Sequence, residues 1–187
     1  MKYVIWALAG ILGAALLNCP TLCEAQASLH IIDNSAFGLF FQGSAPADDG
    51  SYVGTSAIGP PGGDQAAIWR RGEGVNALYE GPELSFHFSV VTAISADGKV
   101  ATGPFHGTRL ENGQPTEFRT GFRWTESEGM KPLVEALPFP SVTFNPQAIS
   151  ADGQVIAGYI ESAAVGDDVQ VFRWTEAGGL QLLGDND

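Results

Sequence analysis

An internal repeat is the feature of this sequence that most constrains its fold. The segment 93–100 (Ala-Ile-Ser-Ala-Asp-Gly-Lys-Val) recurs at 148–155 (Ala-Ile-Ser-Ala-Asp-Gly-Gln-Val), 55 positions later. Further along each copy, Phe-Arg-Trp-Thr-Glu occurs at 122–126 and again at 172–176, 50 positions apart. Tandem copies of this size are supersecondary units that bury their apolar faces against their neighbours. We therefore expect the fold to be assembled from adjacent repeats.

A weaker copy precedes these two. Trp69, Gly74 and Leu78 have the same mutual spacing as the Trp, Gly and Leu residues of the two later copies. Its Ala-Asp pair at 47–48 aligns with the later Ala-Asp pairs, but Asp49 then stands where they have glycine, so the turn is expected to slip by one residue. The pattern predicts one β-repeat domain at 28–187, with units at about 37–80, 90–135 and 145–184.

Each unit is predicted to contain four short strands and no helix. In the second unit these strands are expected at 90–95, 99–105, 120–125 and 130–134. Asp97-Gly98 and Asp152-Gly153 lie between apolar, β-branched runs. Asp-Gly supplies the positive φ angles that a tight hairpin turn requires. These two pairs therefore predict hairpin turns.

Alternation along the tryptophan strand places Phe122 and Trp124 on one face and Arg123 on the other. We expect Trp69, Trp124 and Trp174 to lie in the core between units. A tryptophan in every unit is also compatible with a sugar-binding platform. Aromatic residues that occur once per repeat nevertheless usually pack between neighbouring repeats, so the core interpretation is favoured.

These features predict an all-β fold of tandem four-stranded antiparallel repeats, either propeller-like or an open stacked array. Units of roughly 50 residues with four strands have the size of a propeller blade. Closed propellers have about four blades or more, so three units close a ring only with additional strands or by self-association. The segment 29–42 offers strand material that could complete the first unit or cap an edge.

The Ser-Ala-Asp-Gly turn followed by Phe-Arg-Trp-Thr and a Gly-Gly-Leu or Gly-Met step resembles the HAF family of extracellular repeats found in bacteria. The resemblance covers residues 45–184. It implies a secreted or surface-associated β-repeat protein and assigns no reaction and no catalytic residue. The first unit departs from the pattern, because Ile-Trp-Arg-Arg at 68–71 replaces Phe-Arg-Trp-Thr.

The amino-terminal residues have the layout of a secretory signal peptide. Lys2 is followed by an apolar run at 4–17 and by Ala-Gln-Ala at 25–27, which predicts a signal peptide at 1–27 and a mature chain from Ser28. The apolar run is shorter than the roughly 20 residues that a spanning helix needs. A lipoprotein anchor at Cys19 or Cys23 is the other alternative, although Asn and Leu are poor predecessors for a lipidated cysteine. We expect a secreted or periplasmic protein with no membrane span after cleavage.

The net charge restricts the classes of ligand that we expect, and the cysteine positions bear on disulfide formation. The formal net charge of −12 disfavours binding to nucleic acid or to an anionic membrane. Both cysteines precede Ser28, so the mature domain is expected to contain no disulfide. A surface or extracellular glycan or protein is the expected ligand class.

No catalytic constellation emerges from the sequence. The three histidines, His30, His87 and His106, are far apart and lack a second ligand at metal spacing. There is no Gly-x-Ser-x-Gly elbow. Acidic clusters at 166–168 and 185–187 offer oxygen ligands suited to calcium, but not at EF-hand spacing. The expectation is no enzyme activity, no cofactor and no metal.

The predicted function is an exported binding or structural module of the cell surface or periplasm. A secreted hydrolase or lyase on the same scaffold is the alternative, and a piece of a longer repeat array is a third option. Any ligand is expected at the edge where connection lengths vary between units, because irregular loops on a regular scaffold often bind. The second unit has an insertion at 106–116. The candidate binding residues at this edge are His106, Arg109, Glu111, Asn112, Phe139, Phe144, Asp167 and Asp168.

Overall fold

The computed structural model describes residues 46–58, 63–78, 85–134, 142–162 and 169–184, without the side chains of 57, 58, 85–87, 109–111, 142 and 162. All of these residues belong to one compact body, Asn34–Asp187. The predicted signal peptide at 1–27 and the extra strand material at 29–42 lie outside the described residues. In the described part, every regular element is a strand, so the all-β prediction is confirmed.

The first repeat forms an antiparallel meander of three strands. They are β1 (Tyr52–Ile58), β2 (Asp64–Arg70) and β3 (Gly74–Ala77). An isolated antiparallel bridge between Pro46 and Val53 lies on the other side of β1. The described part of this repeat therefore has three full strands and a trace of a fourth.

The second repeat contains the longest strands. Its elements are β4 (Ser85–Ser89), β5 (Ala93–Ile94), β6 (Val100–Glu111), β7 (Gln114–Thr125) and β8 (Gly129–Pro132). Both β4 and β5 pair with β6, so together they occupy the first strand position of this repeat. The strand predicted at 90–95 is present in part. The regular ladder is interrupted between Ser89 and Ala93, but the Val90 and Thr92 N–H groups still donate to carbonyls of β6, at 3.4 and 2.9 Å.

The third repeat is a four-stranded antiparallel sheet with one register shift, between Ala157 and Gly158 in the β9–β10 pairing. Its strands are β9 (Val142–Ile149), β10 (Val155–Ser162), β11 (Val169–Thr175) and β12 (Gly179–Leu183), in the order β12-β11-β10-β9. This is the four-stranded unit that the repeat predicts.

The first two repeats are joined into one eight-stranded sheet. The junction is a single parallel pairing of Asp64 in β2 with Phe88 in β4, which makes this sheet mixed rather than purely antiparallel. The third repeat forms a separate sheet, and the described strands do not close into a ring.

The Asp-Gly turns have the same construction in the second and third repeats. The Asp97 carboxylate accepts hydrogen bonds from the Ser95 hydroxyl (2.8 Å) and the Lys99 N–H (3.1 Å). In the third repeat Asp152 accepts the corresponding bonds at 2.6 and 3.0 Å. Gly98 and Gly153 have φ angles of 72° and 71°. The aspartate side chain thus caps the turn while glycine supplies its left-handed residue.

The first repeat has the same turn, displaced by one residue from the alignment on Ala47-Asp48. Asp49 accepts the N–H of Ser51 at 2.8 Å, and Gly50 has a φ of 64°. Asp49 and Gly50 are therefore the counterparts of the later Asp-Gly pairs. The slip that the sequence suggested is present.

Two apolar cores lie between successive repeats. One contains Ile68 and Leu78 of the first repeat together with Phe122 and Trp124 of the second. The other places Leu133 of the second repeat among third-repeat residues, namely Phe144, Ile156, Ile160, Phe172 and Trp174. Trp69, Trp124 and Trp174 are all buried, with 7 to 8% of their surface exposed. Each core is therefore shared by two neighbouring repeats, as expected for repeats that cannot bury their faces alone.

The Asp-Gly turns of successive repeats also contact one another. The Asp48 N–H donates to the Ala96 carbonyl (3.0 Å), and the Ala96 N–H donates to the Ala151 carbonyl (3.1 Å). A Cβ atom on Gly153 would lie 2.5 Å from Cγ2 of Val100 in the preceding repeat. The turns are therefore linked in a row, and glycine permits their close approach.

Candidate functional site

The insertion predicted as a binding loop is a β-hairpin. Residues 106–116 continue β6 and β7, which pair without interruption from Val100 opposite Thr125 to Glu111 opposite Gln114. Asn112 and Gly113 form the two-residue turn, with φ angles of 53° and 79°. Asn-Gly readily adopts two successive positive φ angles. The prediction of an irregular loop is therefore wrong, because the extra residues extend two strands instead.

The outer part of this hairpin projects as a two-stranded ribbon. On the β6 side, Thr108 is the outermost residue that pairs with β4 in the part of the chain that the structure describes. On the β7 side, the pairing with β8 begins only at Phe122, with one further bond from the Leu133 N–H to the Gly121 carbonyl. We name residues 109–116 the hairpin tip. Within the described residues, its two strands pair only with each other.

The base of the hairpin is anchored by aromatic contacts. The Phe118 ring packs edge-on against Phe105, with the centroids 5.1 Å apart, and Phe105 is 2% exposed. On the opposite face, the His106 ring lies 5.4 Å from the Phe88 ring. These contacts hold the base against the core while the tip extends beyond it.

His106 is half-buried in this base. Burial lowers the pKa of its imidazole, and the positive charge of Arg119 lowers it further. Its Nε2 atom is buried without a hydrogen-bond partner. Burial therefore disfavours the charged form of the ring, which supports the base of the hairpin.

Exposed polar side chains follow the turn and the outer strand. Asn112, Gln114, Glu117 and Arg119 are exposed. They offer amide, carboxylate and guanidinium groups, which together can donate and accept hydrogen bonds. The arrangement can bind a polar ligand by surface contacts.

The remaining candidate binding residues have different positions. Arg109 and Glu111 lie opposite Thr116 and Gln114 in the hairpin tip, but their side chains are not described. Phe144 is not at the edge: it is fully buried in β9, with its ring 4.5 Å from Phe172, so its assignment to ligand binding is wrong. Phe139, Asp167 and Asp168 lie outside the described residues.

Arg70 links the first and second repeats, a contact that the sequence pattern does not predict. The Arg70 guanidinium carbon lies 5.6 Å from the Tyr52 ring centroid and 5.9 Å from that of Trp124. Arg70 also pairs with Glu73 (3.5 Å) and Glu126 (3.1 Å). Because its charge is engaged by aromatic rings and two carboxylates, Arg70 serves as a structural link between repeats.

The described residues contain no group of three or more His, Cys, Asp or Glu side chains placed to hold a metal ion. The acidic clusters at 166–168 and 185–187 lie outside them. Asp97 and Asp152 are occupied by turn hydrogen bonds, which lower the pKa of both carboxyl groups. The described part also has no helix of the length and apolar character needed to span a membrane.

Comparison with known proteins adds evidence on the fold alone. No protein-family model matches the chain, and no curated protein sequence does. A solved structure described as TolB from Agrobacterium tumefaciens is similar, with a TM-score of 0.52 and 15% sequence identity. The similarity covers 87% of this chain and 53% of the TolB chain, so the present chain spans about half of that protein's length. The TolB structure is a β-propeller, and the three-repeat arrangement is therefore similar to part of a propeller.

Proposed function

We propose that this chain is an exported, non-catalytic binding module whose hairpin tip contacts a glycan or protein at the cell surface or in the periplasm. The observation that carries the proposal is the hairpin itself. Strands β6 and β7 have 12 residues each, whereas their counterparts β10 and β11 have 8 and 7. One repeat of an otherwise regular scaffold thus carries a projecting element.

The composition of the hairpin suits recognition better than packing. Asn112, Gln114 and Pro115 at the turn are exposed, and so are Glu117 and Arg119 on the outer strand. A two-stranded ribbon is marginally stable without a third strand, so the hairpin tip is expected to contribute little to the stability of the scaffold. Retention of such a ribbon is consistent with a role outside the fold, and the signal-peptide layout supports a role outside the cytoplasm.

The experiment removes the tip and keeps the scaffold. Deleting residues 108–111 and 114–117 removes four residue pairs and retains Asn112-Gly113 as the turn. An even number of deleted pairs leaves each remaining side chain on its original face. Phe118 and His106, which anchor the hairpin base, are kept. We expect the melting temperature to be nearly unchanged.

Binding is measured with the purified protein on a glycan array and against solubilised surface proteins. The control is Glu176→Ala. Glu176 is exposed, as the hairpin turn residues are, but it lies in a turn of the third repeat. We expect the unmodified chain and the control to bind, and the shortened chain to lose binding. Undiminished binding by the shortened chain, or no binding by the unmodified chain to any glycan or surface protein, would contradict the proposal.

A further inference from the structure

The exposed large apolar side chains of the described residues are all in the third repeat. They are Val169 (58% exposed), Val171 (48%), Leu182 (40%) and Leu183 (55%). Strand register places Val171 directly opposite Tyr159 on one side and Leu183 on the other, so these three form a row across β10, β11 and β12. We name the sheet face that carries this row, opposite Phe172 and Trp174, the C-terminal face.

The corresponding faces of the other two repeats are covered by the repeat that follows. Leu78 and Leu133 are the counterparts of Leu183, and both are only 6% exposed. Leu133 lies in the third-repeat core, and its carbonyl accepts a hydrogen bond from the Trp174 indole at 2.8 Å. The C-terminal face is therefore equivalent to an interface surface of the first two repeats, and among the described residues no repeat covers it.

The C-terminal face differs in shape from the covered face of the second repeat. The position of Val171 is occupied in the second repeat by Gly121, where a Cβ would lie 2.5 Å from Cγ of Pro146 and 2.9 Å from Cε1 of Phe144. Valine at this position fills the recess that Pro146 and Phe144 enter at the interface between the second and third repeats. Tyr159 similarly replaces the smaller Pro104. A head-to-tail second copy also has no free tryptophan face to offer, since Trp69 is already buried.

The charges on the C-terminal face are self-complementary. Arg123 pairs with Glu128 at 3.2 Å, but its counterpart Arg173 has Gly178 at the position of that glutamate. Among the described residues, Arg173 contacts only the Gln181 amide oxygen, at 3.5 Å. On the same face, beyond the apolar row, lies the exposed Glu161. The two charges are separated by about four residues along the strands, or roughly 13 Å, too far to pair within one chain.

We propose that two copies of this chain associate through their C-terminal faces about a two-fold axis. An axis running along the apolar row stacks the Tyr159, Val171 and Leu183 side chains of the two copies. It also brings Arg173 of each copy over the strand end that carries Glu161 in the other. A two-fold interface uses the same patch on both subunits, and here that patch holds an apolar centre flanked by one cation and one anion. The association would bury the exposed apolar row of the third repeat.

Sedimentation velocity over a concentration series up to about 0.1 mM, a range that detects micromolar association, tests this proposal on the processed full chain. Val171→Glu introduces a charge at the centre and is expected to abolish the dimer. Leu182→Glu is the matched control, because Leu182 is comparably exposed but lies on the opposite face of β12. That control should dimerise as the unmodified chain does.

Reversing the charges of Arg173 and Glu161 distinguishes a specific dimer from nonspecific association of apolar surfaces. Arg173→Glu and Glu161→Arg should each weaken dimerisation at least about tenfold, because each reversal acts twice across a two-fold axis and like charges oppose association. The double variant should restore it. A wild-type chain that stays monomeric throughout, a dimer that survives Val171→Glu, or a double variant that is not restored would each overturn the proposal. Capture of a different protein by a monomeric chain would do the same.

Discussion

Truncating the same leucine in two repeats tests how the repeats stabilise one another. Leu133 and Leu183 occupy equivalent motif positions, but Leu133 is 6% exposed and Leu183 is 55% exposed. Leu133→Ala removes three carbon atoms from a packed core, about 2.4 kcal/mol at 0.8 kcal/mol for each methylene. The cavity adds to this, so we expect a loss of about 2.5 to 4 kcal/mol. Leu183→Ala should cost less than about 1 kcal/mol, as for most surface substitutions.

The assay is urea unfolding followed by tryptophan fluorescence, at a protein concentration low enough to keep the chain monomeric. Leu133 contacts the third-repeat core that contains Trp174, so its loss should be visible at that fluorophore. Unchanged m-values would show that the difference lies in stability and not in the extent of unfolding. Equal costs for the two substitutions would refute the inference that each repeat covers the leucine of the one before it.

Three further sets of substitutions test the packing of the repeats and the burial of His106. Trp124→Ala should destabilise the chain by about 3 to 5 kcal/mol, the range for deleting a large buried aromatic side chain, as measured by urea unfolding. Gly153→Ala should cost more than Gly179→Ala, because both glycines have positive φ but only Gly153 closely approaches a side chain of the preceding repeat; equal melting temperatures would contradict this. Burial lowers the pKa of His106 in the folded state, so its contribution to stability is complete above the unfolded pKa of about 6.5 and is lost as the pH falls below that value. His106→Gln should therefore flatten the decline in stability between about pH 7 and pH 5.

The repeat pattern was sufficient to predict much of the local structure. Asp97-Gly98 and Asp152-Gly153 predict tight turns because few other pairs accept the backbone angles that such turns need. Alternation of Phe122, Arg123 and Trp124 predicts one buried face, and in the structure the two aromatic side chains are buried while arginine is partly exposed. These features are local, so they can be predicted without knowing where the neighbouring repeats lie.

The hairpin could also have been predicted from the sequence. Asn112-Gly113 is a strong signal for a two-residue turn, but a comparison of connection lengths led to the prediction of a loop. Phe144 was assigned to the edge because it lies near prolines in a variable segment. Its burial depends on the approach of β9 to the second repeat, which is a tertiary contact that local patterns do not contain.

The difference between Leu133 and Leu183 could not be predicted from their motifs. Both follow the tryptophan by nine positions in matching segments, and Leu133 is buried because the third repeat packs over it, a tertiary contact that the motifs do not contain. The motifs also do not predict that Arg173 lacks the ion pair that its counterpart Arg123 forms. The sequence aligns Gly178 with Glu128, but the ion pair between Glu128 and Arg123 is seen only in the structure.

Amide hydrogen exchange at the three turns tests the central claim, that the repeats associate through one recurring contact, in which the described part of the third repeat has a neighbour on one side only. The amides of Asp48 and Ala96 donate to the carbonyls of the next turn, whereas the equivalent amide of Ala151 has no acceptor among the described residues. The structure predicts slow exchange at Asp48 and Ala96 and fast exchange at Ala151, measured by nuclear magnetic resonance on the monomeric chain. Fast exchange at all three amides would contradict the association of the repeats described here.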